Sequence, residues 1–159
     1  MRQYKFRGRS IEPLVGEDQW VYGFGVHVVE YTDGNKEYWL YTDNGPYQVD
    51  PGTVGQYTEL PDRKGKEIYE KATVLITGTQ ELDGGLSFEW NERAVVRWSE
   101  EECGYYLDVI NKREVGFCQD GFFTIDTFPL RKWEEGEWEI EYEVLEGRKN
   151  PVLLEVPHG

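Results

Sequence analysis

Val54-Gly55-Gln56-Tyr57-Thr58-Glu59-Leu60-Pro61-Asp62-Arg63-Lys64-Gly65-Lys66-Glu67-Ile68-Tyr69-Glu70-Lys71-Ala72-Thr73-Val74-Leu75-Ile76 reads as strand, tight connection, strand. Val54 to Thr58 is rich in residues that favour extended backbone, and the segment from Ile68 is β-branched and aromatic again. Between them Pro61 has a fixed φ and no N–H, so it belongs outside a central ladder. Asp62 can close a turn onto the backbone that follows it, and Gly65 can take the positive φ that ends the turn. Gly55 and Gly65 are therefore expected where close packing or positive φ is needed, with Ile68 and Tyr69 in the core.

Working outward, the chain of 159 residues is short enough for one compact domain or two small subdomains. Its six Trp, eleven Tyr and seven Phe, with eighteen Gly, favour strands and turns over helices. No segment sustains a 3.6-residue apolar period. Tyr4 to Arg9 is a short basic strand, and Ser10 to Gln19 is turn-rich. Trp20 to Val29 reads as one long strand whose even face, Trp20, Tyr22, Phe24, Val26 and Val28, should look inward. The glycines on its other face, Gly23 and Gly25, suggest close approach of another segment or a bulge. Thr32-Asp33-Gly34-Asn35 turns the chain into a returning strand, Glu37 to Tyr41, and Asp43-Asn44-Gly45-Pro46 turns it again.

From Ile68 short strands follow at spacings that suit a small barrel: Thr73–Thr77, Leu86–Trp90, Ala94–Trp98, Tyr105–Ile110, Phe122–Phe128 and Trp138–Leu145. Asp83-Gly84-Gly85 and Asn91-Glu92 are the expected turns, and Ser99 can cap a single turn ending at Glu102.

The central stretch resembles the YopX family of phage and prophage proteins. The motif of that family runs VGQYTGL-D-(K/R)-GKEIYEGD. Val54, Gly55, Gln56, Tyr57, Thr58, Leu60, Asp62, Gly65, Lys66, Glu67, Ile68, Tyr69 and Glu70 match it, and Lys71-Ala72 stand where the motif has Gly-Asp. A basic KFRGR near the N-terminus and a looser echo around Gly147 and Asn150-Pro151 extend the likeness along the chain. The resemblance implies a mostly β, YopX-like fold and a phage or prophage accessory protein in the bacterial cytoplasm. It implies no particular reaction. Combined with the strand pattern, the expected fold is an N-terminal β-subdomain (1–60) packed on a small SH3-like or OB-like barrel (61–145), with a C-terminal tail (146–159).

Chemistry is sparse. His27 lies in a strand, where a half-buried structural role is expected, and His158 lies one residue from the end. The three serines, Ser10, Ser87 and Ser99, lack a nucleophile elbow. Cys103 follows three glutamates that disfavour its thiolate, and Cys118 has no adjacent cation. Both are expected reduced, unreactive and more often buried than exposed, although a hairpin of Tyr105–Ile110 with Glu114–Phe117 would bring them together. No zinc or calcium motif and no phosphate-binding fingerprint is present, so neither metal nor cofactor is expected. An enzyme ranks last among the readings.

The charge is decisive in another way. Thirty-one acidic residues against seventeen basic give a formal net charge of −14, which repels nucleic-acid backbones and attracts basic partners. Along Trp138 to Val144, alternation places Glu137, Glu139, Glu141 and Glu143 on one strand face, with Trp138, Ile140, Tyr142 and Val144 on the other. That acidic ridge is either a solvated face guarding an edge or a docking surface for a basic protein of host or phage. The competing reading is direct nucleic-acid binding through exposed aromatics and the basic clusters Lys5/Arg7/Arg9 and Arg63/Lys64/Lys66. Self-association is left open. The N-terminal residues are too polar for a secretory signal, and no run approaches the ~20 apolar residues of a membrane-spanning helix.

Overall fold

The computed structural model describes residues 4–16, 18–82, 86–118, 121–133 and 139–145, with 80–82, 86–88, 112–118 and 121–125 described by backbone alone. Strands dominate: β1 (Phe6–Arg9), β2 (Trp20–Gly23), β3 (Gly25–Glu30), β4 (Lys36–Thr42), β5 (Gly45–Val49), β6 (Gly55–Pro61), β7 (Glu67–Tyr69), β8 (Thr73–Leu82), β9 (Leu86–Ser99), β10 (Gly104–Cys118), β11 (Gly121–Pro129) and β12 (Glu139–Val144). A 3-10 turn, Pro51–Thr53, separates β5 from β6, and Asp50 caps it by accepting from the Gly52 N–H. They form sheets of order β2-β1-β6-β7, β3-β4-β5 and β11-β10-β9-β8-β12. The mostly β expectation holds. Among the described residues no helix is long and apolar enough to cross a membrane.

The chain divides into two compact units that interleave in sequence. The first comprises Met1–Glu59 with Tyr69–Lys71, the second Leu60–Ile68 with Ala72–Gly159. In the first unit Val21, Leu40 and Val49 form the core, with Phe6, Leu14, Val26, Tyr38, Tyr47 and Val54 packed around them. The hairpins at Thr32–Asn35 and at Asp43-Asn44 form as read: β3 pairs β4 from Gly25↔Tyr41 to Glu30↔Lys36, and β4 pairs β5 from Tyr38↔Val49 to Thr42↔Gly45.

The long strand read over Trp20 to Val29 is broken at Phe24. Its N–H donates to the Tyr41 carbonyl at 2.9 Å, and a Cβ on Gly23 would overlap that same carbonyl. The close approach suspected from the glycines is thus found at Gly23. The break also reverses the alternation: Val21 points inward before it and Val26 after it. Tyr22 is therefore exposed, and so are Phe24 at the break and Val28, contrary to the even-face expectation. His27 is exposed rather than half-buried.

A basic and aromatic stack lines β1 and its neighbours in the first unit. Arg7 is buried with its guanidinium 4.0 Å from the Trp20 ring and 4.9 Å from the Tyr69 ring. Tyr69 meets Tyr57 and Tyr22 at 5.5 and 5.7 Å. Delocalised and weakly hydrated, guanidinium is the cation that can be buried between rings in this way.

The second unit departs from the expected barrel. Its five strands make an open antiparallel sheet with β11 and β12 at opposite edges. Asn91-Glu92 is not a turn: β9 runs straight through it, with Glu92↔Ile76 and Asn91↔Thr77 paired to β8. Likewise β10 continues past Ile110, with a register shift between Asp108 and Arg113 that absorbs extra residues. Long arms, not short staves, make the sheet. The two cysteines bracket β10 and so cannot lie side by side. Cys103 is exposed in the turn before it, where the Glu102 N–H meets the Ser99 hydroxyl at 3.2 Å as a cap should. The Asp83-Gly84-Gly85 turn lies outside the described residues, though Leu82↔Leu86 closes the hairpin around it. The core is Ile68, Ala72, Val74, Ile76, Trp90, Ala94, Val96, Leu107, Val109, Phe128, Ile140, Tyr142 and Val144.

Within the central stretch, Ile68 and Tyr69 are buried as read. A Cβ on Gly55 would collide with the Glu70 carbonyl, and Gly65 has φ +84° in open space. Two residues of the stretch other than glycine also have positive φ: Glu59 at 71° and Lys71 at 73°. Both stand where the YopX motif shows Gly. An L-residue in the left-handed region costs about 1 kcal/mol or more. Lys71→Gly, and separately Glu59→Gly, should therefore leave stability equal or raise it by up to ~1 kcal/mol, because released strain is partly offset by glycine's greater unfolded-state entropy. Gly65→Val should lower it by roughly 1–3 kcal/mol. Urea unfolding of the three variants checks the assignment.

Candidate functional site

The turn after β6 begins at Asp62, whose backbone N–H donates to the Lys66 carbonyl at 2.7 Å while the Gly65 N–H donates back to the Asp62 carbonyl. The carboxylate adds more. Its Oδ1 accepts from the backbone N–H groups of Lys64 and Lys66, at 2.9 and 2.8 Å. Its Oδ2 reaches 82 residues along the chain to accept from the Val144 N–H at 2.9 Å. The Arg63 N–H donates to the Tyr142 carbonyl at 2.9 Å. The turn thereby occupies backbone groups of β12, an edge strand that would otherwise present them to other chains.

Side chains complete the clamp. Arg63 donates through Nη2 and Nε to Glu143 Oε1, at 2.7 and 3.2 Å, and through Nη1 to Glu141 Oε2 at 3.4 Å. Lys64 Nζ lies 3.4 Å from the same Glu143 oxygen. The Arg63 guanidinium, and Lys64 behind it, hold the Glu143 carboxyl below its ordinary range although partial burial pushes the other way. Arg63 is raised in turn, first by its bonds to Glu143 and Glu141.

On the opposite face of β12, Tyr142 is buried. Its hydroxyl donates to the Pro129 carbonyl at 3.1 Å and accepts from the Trp133 indole N–H at 2.8 Å. Burial pushes that hydroxyl's pKa up, so it remains a donor at any ordinary pH.

The alternation read from the sequence is present over the described part of the ridge. Glu139 and Glu141 are exposed, whereas Ile140, Tyr142 and Val144 are buried. Glu143 shares the glutamate face but is itself buried beneath Arg63 and Lys64. Glu137 and Trp138 lie outside the described residues. The sequence reading treated Arg63 and Lys64 as one basic cluster and the glutamates as another feature; the structure brings them together. Opposite charge on two segments was the available signal, but nothing local pairs residues 80 apart.

Of the motif residues, Val54 packs on the first core, Gln56 accepts the Glu70 N–H through its carbonyl, and Tyr57 stacks with Tyr69. Thr58 is half-buried in β6, and Lys66 closes the turn through its backbone. Cys118 ends β10, and His158 lies outside the described residues. Among the described residues no group of three or more His, Cys, Asp or Glu side chains is placed to hold a metal ion.

A mostly β protein of two units interleaved in sequence, the second carrying a turn at Asp62 that meets its own edge strand, is the class this architecture defines. Comparison with curated proteins and with solved structures gives no match. The family model described as YopX protein matches residues 17–130, which include the whole signature turn. The chain belongs to the YopX family.

Loss of the Asp62 carboxylate strands three N–H donors. Asp62→Ala should cost roughly 3–5 kcal/mol at neutral pH, and Asp62→Asn less, since the amide retains one acceptor. Arg63→Gln tests the outer clamp. A carboxyl depressed in the folded state stabilises the fold above its unfolded pKa of about 4.3, and that contribution disappears as pH falls through the folded value. Removing the guanidinium should move the acid-unfolding midpoint to higher pH. A midpoint equal to that of the wild type would show that the pair contributes nothing to folding.

Proposed function

We propose that this YopX-family chain is a non-enzymatic phage or prophage accessory protein that binds a basic protein partner through acidic surface. Family membership supports the phage setting. The observation that carries the binding reading is an asymmetry in how charges are used. Of the basic side chains named in the sequence clusters, Arg7 is buried between rings, and Arg63 and Lys64, though exposed, are paired with Glu143. Arg97 Nε also meets Asp108 Oδ2 at 2.7 Å. Glu139 and Glu141 remain exposed, and Glu100, Glu101 and Glu102 stand exposed in another turn. A formal net charge of −14 steers cationic surfaces and opposes the counterion release that drives nucleic-acid binding.

The same asymmetry weighs against the nucleic-acid reading, because a basic edge needs cations that are not already engaged. Exposed rings such as Trp98 and Tyr41 are the features that favour it.

Glu139→Gln/Glu141→Gln should fold with stability unchanged within about 0.5 kcal/mol, since Glu139 stands in solvent and the Arg63–Glu141 pair is a surface contact. Basic proteins retained by the immobilised wild-type chain from bacterial lysate should be retained less by the variant. The loss should come mainly through slower association and be greatest at low salt. Equal retention removes the ridge as the docking surface. Retardation of labelled single-stranded DNA or RNA that weakens with salt would favour the competing reading.

A further inference from the structure

The outward face of the β3-β4-β5 sheet holds a second arrangement that nothing above uses. By register it carries Gly25, His27 and Val29 from β3, Glu37, Trp39 and Tyr41 from β4, and Pro46 and Gln48 from β5. The alternate residues Val26, Tyr38, Leu40, Tyr47 and Val49 face the core. No Lys or Arg stands on that outward face, and Glu37 is its one charged residue. Lys36 projects to the other side.

Glu37 is half-buried and held in place by aromatic donors. The Tyr31 hydroxyl donates to its Oε1 at 2.8 Å, and the Trp39 indole N–H donates to the same oxygen at 3.3 Å. The Tyr31 hydroxyl's pKa is raised, first by that hydrogen bond and then by the carboxylate's charge, so the donor stays protonated. Among the described residues no cation pairs with Glu37, and Oε2 receives no bond. Tyr31 and Tyr41 are about half exposed, at 48 and 41%. A carboxylate fixed by two aromatic donors, with a second oxygen open beside the partly exposed Tyr31 ring, is complementary to a planar cation. Guanidinium can lie over a ring and pair with a carboxylate at once, which ammonium does less well.

We propose that Glu37, Trp39 and Tyr31 form a receptor for an arginine side chain presented on an extended segment of a protein partner, with Tyr41 further along the same face of β4. This rests on the reading that the chain captures a basic protein, and it locates one contact away from β12. Glu37 takes the guanidinium charge, and the rings take its face and aliphatic stem.

The test is an NMR titration of the full, nitrogen-labelled chain with the peptide acetyl-Gly-Arg-Gly-Arg-Gly-amide, following the Trp39 indole resonance and the amides of 37–41. Saturable shifts at these positions are expected. A peptide with citrulline, the neutral counterpart, should produce none, and one with lysine should bind several-fold more weakly. Glu37→Gln should weaken the arginine peptide about tenfold or more, equivalent to ~1.4 kcal/mol, with the rest of the spectrum unchanged. Tyr31→Ala, an exposed position whose hydroxyl holds Glu37, should weaken it several-fold. Glu139→Gln/Glu141→Gln should leave this contact intact, which separates a local receptor from the pull of net charge. Equal affinity in Glu37→Gln, equal shifts with citrulline, or no saturable shift at 37–41 would each overturn the proposal. Shifts confined to β12 would overturn it while leaving the acidic-binding reading in place. Failure of both the ridge variant and this titration would remove that reading as well.

Discussion

One carboxylate organises the second unit of this protein. Asp62 accepts from two N–H groups of its own turn and from a third in β12, so a local turn and a distant strand share one acceptor. Buried at 7% exposure, it cannot exchange those bonds for water without opening the turn. The arrangement resolves two structural problems together: a turn needs its inner donors satisfied, and an edge strand needs its outer groups covered. Arg63 and Lys64 follow from the same placement, since the turn that sets Asp62 against Val144 also sets both cations over Glu143.

That arrangement changes what the glutamates of β12 mean. Read alone, they are a repelling row. In the fold, the turn supplies counter-charge at one end, and Glu139 and Glu141 keep the exposed character. Electrostatic self-repulsion is thus relieved at Glu143 and, at the surface, partly at Glu141. A similar economy appears in the first unit, where Arg7 is buried between rings. Arg7 in the interior and Arg63 at the surface are both engaged within the fold.

Much of this was legible in sequence where the determinant is local. The Asp62–Gly65 turn, the burial of Ile68 and Tyr69 and both N-terminal hairpins depend on neighbouring residues and their φ preferences. What was not legible depends on partners far along the chain. The Tyr41 carbonyl interrupts Trp20 to Val29 at Phe24 and reverses which side faces inward. Asn91-Glu92 resembles a turn, yet the ladder to β8 overrides that preference, so short staves merge into long arms and an open sheet replaces a barrel. The Glu37 cluster needed the β3–β4 register to be seen, because residues spread over Tyr31 to Tyr41 share a face only once the strands pair.

The interleaving of the two units has a consequence for inheritance. The chain leaves the first unit after Glu59, returns for Tyr69–Lys71, and leaves again. The three returning residues include Tyr69, the ring against which Arg7, Tyr22 and Tyr57 pack. A recombination junction placed between the halves of the gene would deliver the first unit without that ring, and the second without the turn that meets β12 if the cut fell past Lys66. Neither unit can be traded as a cassette. A single crossover therefore delivers neither unit complete.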